Sequence, residues 1–245
     1  TSRDAGCSSR QIMRMRAKTL TLGAVVGFLQ LALVLSLVTP ARAAESLDPS
    51  FGEGGLVRPG MTAALLDLTE DSSGRLIGTG GFALTARFLG DGQRDPSFGN
   101  GRGWVFGNPG VDAVNRDVAI APDGSIIVAG GTFPGNLVLL HYGEDGARDA
   151  EFGRKGNVIT HVGQEGGAAE AVAIRPSGRI LVAGYGVESR NRWKGVVAAY
   201  RPDGTLDRRF GSAVTIELTT EKGLTIELKA MHVLAGGKIL LAGDL

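Results

Sequence analysis

Four times the chain writes nearly the same phrase: SLDPSFG ending at Gly52, GDGQRDPSFG at Gly99, GEDGARDAEFG at Gly153 and RPDGTLDRRFG at Gly211. The phenylalanines that mark it, Phe51, Phe98, Phe152 and Phe210, are spaced by 47, 54 and 58 residues. Between them runs a second phrase, ALLDLTEDSSGRLIGTGG, then DVAIAPDGSIIVAGG, AVAIRPSGRILVAGY and AMHVLAGGKILLAGD, and in the first three copies a third apolar segment follows. Self-similarity at about fifty residues marks tandem units that bury their apolar faces against each other, and a four-stranded propeller blade is a unit of that length.

Each copy parses into four short strands. In the third, Asn157 to Val162 follows the Phe-Gly phrase, and Ala171 to Ile174, Ile180 to Ala183 and Gly195 to Tyr200 come after it. Pro122-Asp123-Gly124 and Pro176-Ser177-Gly178 separate the middle two strands of their copies. Proline presets φ at the first turn position and glycine accepts positive φ, so these triplets close antiparallel hairpins. The unalternating run IIVAG (126–130) asks for burial on both faces, as blades on either side would give it. Gly80, Gly130, Gly184 and Gly243 end such runs, where backbones converge. The recurring Phe is expected to plug the seam between blades, and Asp95, Asp149 and Asp207, three residues before it, to accept hydrogen bonds from local amides. A membrane barrel needs alternating strands of about 9–11 residues, and parallel solenoid coils repeat at about 20–45. Neither fits. The expected fold is an all-β propeller of four-stranded antiparallel blades, with about four blades and an incomplete ring.

Those phrases, A-x-A-x-x-P-D-G-x-I-x-V-A-G followed by P-D-G-x-L-D-x-x-F-G, resemble the delta-60 repeat, a tandem propeller repeat of exported bacterial proteins. The likeness covers nearly all of residues 46–244, although Ser72-Ser73-Gly74 and Ala235-Gly236-Gly237 replace Pro-Asp-Gly in copies one and four. It implies fold and export and brings no catalytic residues.

Ahead of the repeats, Met13 to Lys18 is a basic run, Leu20 to Val38 is apolar and uncharged, and Pro40-Ala41-Arg42-Ala43-Ala44 offers an A-x-A cleavage site. We read residues 1–43 as upstream sequence plus a secretory signal peptide cut after Ala43, and 44–245 as the propeller domain. The location is then secreted, periplasmic or cell-surface, without stable membrane insertion. An uncleaved signal would instead leave an N-terminal anchor. Thr1 in place of methionine, and a fourth copy that stops at Leu245, suggest a fragment of a longer reading frame. An open array of this kind is expected to self-associate.

Cys7, the single cysteine, lies in the leader, so thiol chemistry is excluded from the processed chain. Residues 1–43 hold six of the 26 Lys and Arg and one of the 25 Asp and Glu, leaving 20 against 24, a net −4 with mixed signs. That is no footprint for nucleic acid.

Catalytic signatures are absent: no G-x-S-x-G, no H-E-x-x-H, no P-loop. His141 stands where other copies carry Arg87 and Ala199, His232 where they carry Ala119 and Ala173, and His161 ends an expected strand. A weak calcium candidate is Asp145, Asp149 and Glu151, oxygen ligands on one loop. Against it stands the plainer reading of Asp145 as a turn residue and Asp149 as a cap, so no cofactor is expected. The segment Gly186 to Lys194 reads as the longest insertion, and its Arg190, Arg192 and Trp193 have the composition of a partner contact. The expectation is a non-catalytic binding or scaffold module, with a protein or glycan at the cell surface as partner. The alternatives are a propeller hydrolase or lyase acting on extracellular glycans, and a calcium-binding surface protein.

Overall fold

A computed structural model describes residues 47–244 apart from 58, 59, 61, 62, 108, 134, 190, 191, 211–215 and 219–225. The signal peptide, Ala43 and Arg190 therefore lie outside the described residues. Blade one is the antiparallel sheet β1 (Leu65–Glu70), β2 (Leu76–Gly80), β3 (Leu84–Phe88), β4 (Trp104–Phe106), in that order. Blade two repeats it with β5 (Ala113–Ile120), β6 (Ile126–Thr132), β7 (Leu137–Tyr142) and β8 (Asn157–Thr160). In blade three β9 (Gly166–Ile174) lies beside β10 (Ile180–Ser189), which pairs with β11 (Arg192–Tyr200) and through it with β12 (Ile216–Leu218). Blade four is the hairpin β13 (Glu227–Val233) and β14 (Ile239–Asp244).

The first strands pack successively, β1 on β5, β5 on β9 and β9 on β13, so the blades stack side by side around a common axis. The molecule is a β-propeller whose ring is not closed. Three apolar clusters fill the seams: Ile77, Phe98, Val128 and Leu140 between blades one and two; Ile127, Phe152, Val182 and Tyr200 between two and three; Ala171, Val197 and Leu228 between three and four. Strand β6 is buried along Ile126–Gly130, as its unbroken apolar run requires.

The repeated phrase works as a latch between blades. Gly52 N–H donates to Asp91 O (2.7 Å), Gly99 N–H to Asp145 O (2.8 Å) and Gly153 N–H to Asp203 O (2.8 Å), each reaching the turn of the next copy. The preceding Phe follows the glycine across the seam. Phe98 and Phe152 are fully buried there, against Gly146 and Gly204 of the neighbouring turn. Full burial of a side chain this size stabilises by roughly 1.5–3 kcal/mol. The hairpin turns keep one geometry even where their sequence departs. Asp71 and Leu234 amides donate to Arg75 O and Lys238 O, as Ala121 does to Ser125 O in the Pro-Asp-Gly copy. Gly80, Gly130, Gly184 and Gly243 cannot carry a side chain, because a Cβ would sit 2.0–2.1 Å from a carbonyl oxygen in, or for Gly80 just before, the first strand.

Two sequence expectations are corrected. The strand after the Phe-Gly phrase does not open a new blade. β8 pairs with β7 and closes the outer edge of blade two, so each blade begins one strand later than the parse had it. The crossover between blades falls in 161–165, where the chain leaves the outer edge for the axis. Gly186 to Lys194 is not an open loop either: β10 and β11 run on through it, with Gly186 paired to Lys194 and Val187 to Trp193. Tyr185 and Trp193 stack at 4.8 Å and 16°, and Glu188 ion-pairs with Lys194, so side-chain contacts prolong the hairpin.

Candidate functional site

Antiparallel order sorts the connections onto two faces. One carries the hairpin turns and the Phe-Gly phrases. The other carries the loops joining second to third strands and the crossovers between blades, and it holds an open cleft of about 880 Å³ across blades one to three.

Two aromatic side chains stand on that face. Phe82 and Phe133 are 73% and 80% exposed, and each follows the glycine pair at the end of a second strand, Gly80-Gly81 and Gly130-Gly131. Backbone hydrogen bonds fix both loops: Gly81 N–H to Ala64 O (3.0 Å) and Gly107 N–H to Ala83 O (2.7 Å) around Phe82, and Phe133 N–H to Asp112 O (2.8 Å). Phe82 and Ala83 have φ of 54° and 53°, a left-handed conformation that costs a residue with a Cβ energy and suits glycine. In blade three the stacked Tyr185 and Trp193 hold the matching region, and Tyr185 lines the cleft.

One charged side chain, Arg116, reaches the cleft from a β-bulge. Pairing slips at Leu65/Asp67, Asn115/Asp117 and Leu228/Ala230, so Leu66, Arg116 and Lys229 are extra residues on first strands. Bulges re-aim a side chain. Glu170 holds the equivalent place in β9, since Ala168 O approaches Gly184 as Val114 O approaches Gly130. Arg116 Nη1 lies 3.1 Å from Glu170 Oε1 and 3.3 Å from Oε2, while Arg116 Nε and Glu170 Oε1 are buried without a hydrogen bond among the described residues. Burial pushes the Glu170 carboxyl up against the pull of Arg116, and burial also raises the Tyr185 phenol. Exposed Asp112 and Glu165 complete the polar lining.

One residue further along, two carboxyls tie the first strands together. Asp67 Oδ2 accepts from Val118 N–H (3.1 Å), and Asp117 Oδ2 from Val172 N–H (2.5 Å). Burial, then the hydrogen bond that protonated Asp117 donates to the Asp67 carboxylate, drives Asp117 up to about 7.

The calcium candidates lie on the opposite face and are engaged locally. Asp145 Oδ1 accepts from Ala147 N–H (2.9 Å), Asp149 Oδ1 from Glu151 N–H (3.0 Å), and Asp149 Oδ2 is 2.8 Å from His141 Nδ1. The Glu151 amide bond lowers the Asp149 carboxyl most, with His141 assisting. No group of three or more His, Cys, Asp or Glu that could hold a metal occurs among the described residues. The His141–Asp149 pair repeats Arg87–Asp95 and Arg179–Asp207, both at 2.8 Å, so each such Asp has a basic side chain as partner. Of the partner-contact candidates, Arg192 is exposed, while Trp193 is half-buried in its stack beside the cleft.

Sequence reasoning missed Phe82, Phe133 and the Arg116–Glu170 pair. The first two were signalled by an aromatic one or two residues past a Gly-Gly pair in copies one and two, and the pair by charged residues at one repeat position.

Residues 175–210 match the model of a domain of unknown function described as a β-propeller (DUF5122). No curated protein matches the chain. Among solved structures, the WD40 β-propeller domain of Doa1 is similar at 14% identity with a TM-score of 0.45, over 75% of this chain and 48% of that one. The chain thus spans about half of the structure it matches.

Among the described residues no helix is long and apolar enough to cross a membrane.

Proposed function

We propose that the protein is an exported, non-catalytic binding module of the delta-60 repeat type that captures a cell-surface partner on its loop face. The observation that carries this reading is the pair Phe82 and Phe133. Two large aromatics stand in solvent at the rim of one cleft, anchored by backbone hydrogen bonds, and in the first case at a cost in backbone strain. Exposed aromatics on a stiff scaffold supply contact area at small entropic cost. The reading requires no cofactor.

Cosedimentation of the purified protein with the envelope fraction of producing cells tests it, together with N-terminal sequencing of the exported form. Saturable retention and a mature end at Ala44 are expected. A protein that stays in the supernatant of its own envelope would overturn the binding reading. An unprocessed cytoplasmic chain would overturn export.

A further inference from the structure

We infer that the loop-face cleft is a carbohydrate site that takes a neutral sugar ring or short glycan. This rests on the binding reading above and names its ligand class. A pyranose presents apolar C–H faces and a rim of hydroxyls, and the cleft presents both complements. Phe82 and Phe133 offer exposed ring faces. Around them Asp112 and Glu165 offer acceptors and Arg116 a donor, its buried Nε without a hydrogen bond among the described residues. Ligand sites combine apolar walls with a few convergent polar groups in this way.

Charge narrows the class. Arg116 is already matched by Glu170, so the lining keeps the two carboxylates Asp112 and Glu165 as its excess. Anionic ligands, nucleic acid included, meet repulsion. A purely apolar partner would bury these carboxylates without hydrogen bonds, at a cost of about 1–3 kcal/mol for each polar group left unpaired. Hydroxyls can satisfy them.

Phe82 supplies the sharper argument. Its φ of 54° is one that glycine adopts freely, and its side chain is mostly in water, so folding gains little from an aromatic there. Phe82→Gly should leave melting unchanged or raise it slightly, which separates a binding role from a packing one.

The test is isothermal titration of the full chain with a panel of neutral oligosaccharides, alongside a sialylated and a uronic acid set. At least one neutral oligosaccharide should bind, with affinity insensitive to salt between 50 and 500 mM, on the order expected for an uncharged ligand. Phe82→Gly and Phe133→Ala should each weaken it by about tenfold, a factor worth 1.4 kcal/mol, with melting preserved. Absence of neutral-glycan binding, while envelope retention persists and needs Phe82 and Phe133, would overturn the sugar assignment in favour of a protein partner and leave the binding reading standing. Envelope retention indifferent to both variants would overturn the two together. Binding confined to the acidic sets would contradict the charge argument and with it the proposal.

Discussion

At the residue scale, the recurring aspartates show what sequence could and could not convey. Asp95, Asp149 and Asp207 are legible as caps because Asx geometry is local, and each does accept from the amide two residues on. Their basic partners were not legible. Arg87 and His141 come from third strands but Arg179 from the turn just before a second strand, so equivalent partners sit at unlike repeat positions. Asp117 yields a prediction of its own. Its carboxyl is raised to about 7 by burial and by Asp67, against roughly 3.9 in the unfolded chain. Between those values the folded state holds the extra proton, so this contribution to stability is full below about pH 4 and is lost as pH rises to 7 and beyond. Asp117→Asn keeps the shape and cannot ionise. Thermal melts from pH 4 to 8 should fall less steeply for the variant, which should melt higher than the parent at pH 8. Glu170, also raised by burial, leaves some slope of the same sign.

At the scale of the element, the strands and their hairpins were readable from turn triplets and apolar runs, whereas the blade boundary was not. Tandem antiparallel strands look alike from any starting point. The long segment 143–156 is in fact a hairpin connection and the shorter 161–165 is the crossover. Length alone points the wrong way, because the long connection is held by the inter-blade latch. Removing its plug should therefore be costly: Phe152→Ala is expected to lose about 3–5 kcal/mol in denaturant unfolding, the usual range for a buried aromatic. Strand continuation through Gly186–Lys194 was hidden by its charges and glycine. Since Trp193 is stacked on Tyr185, Trp193→Ala should lower stability by about 0.5–1.5 kcal/mol, with Arg192→Ala leaving melting unchanged.

For the molecule as a whole, the propeller was legible because its period, turns and seam residues all agree, which is how a sequence specifies one fold. The binding face was less so. Exposure of Phe82 and Phe133 depends on which side of the sheet ends they emerge from, and no periodicity encodes that. The same scale exposes a liability. Leu66 and Leu68 on β1 and Leu240 on β14 are 56%, 54% and 58% exposed. Grouped exposed apolar side chains mark association surfaces, so sedimentation velocity should show concentration-dependent self-association, relieved by Leu66→Ser with Leu68→Ser. A monodisperse parent across the micromolar range would contradict this.

The most direct measurement of the central claim, that the loop face is the binding face, compares envelope binding by two double variants of the full chain. Phe82→Gly with Phe133→Ala alters the loop face, and Gln93→Ala with Glu151→Ala alters exposed positions of the turn face. With both melting like the parent, the account predicts binding lost in the first and kept in the second. Binding kept in the first and lost in the second would contradict it.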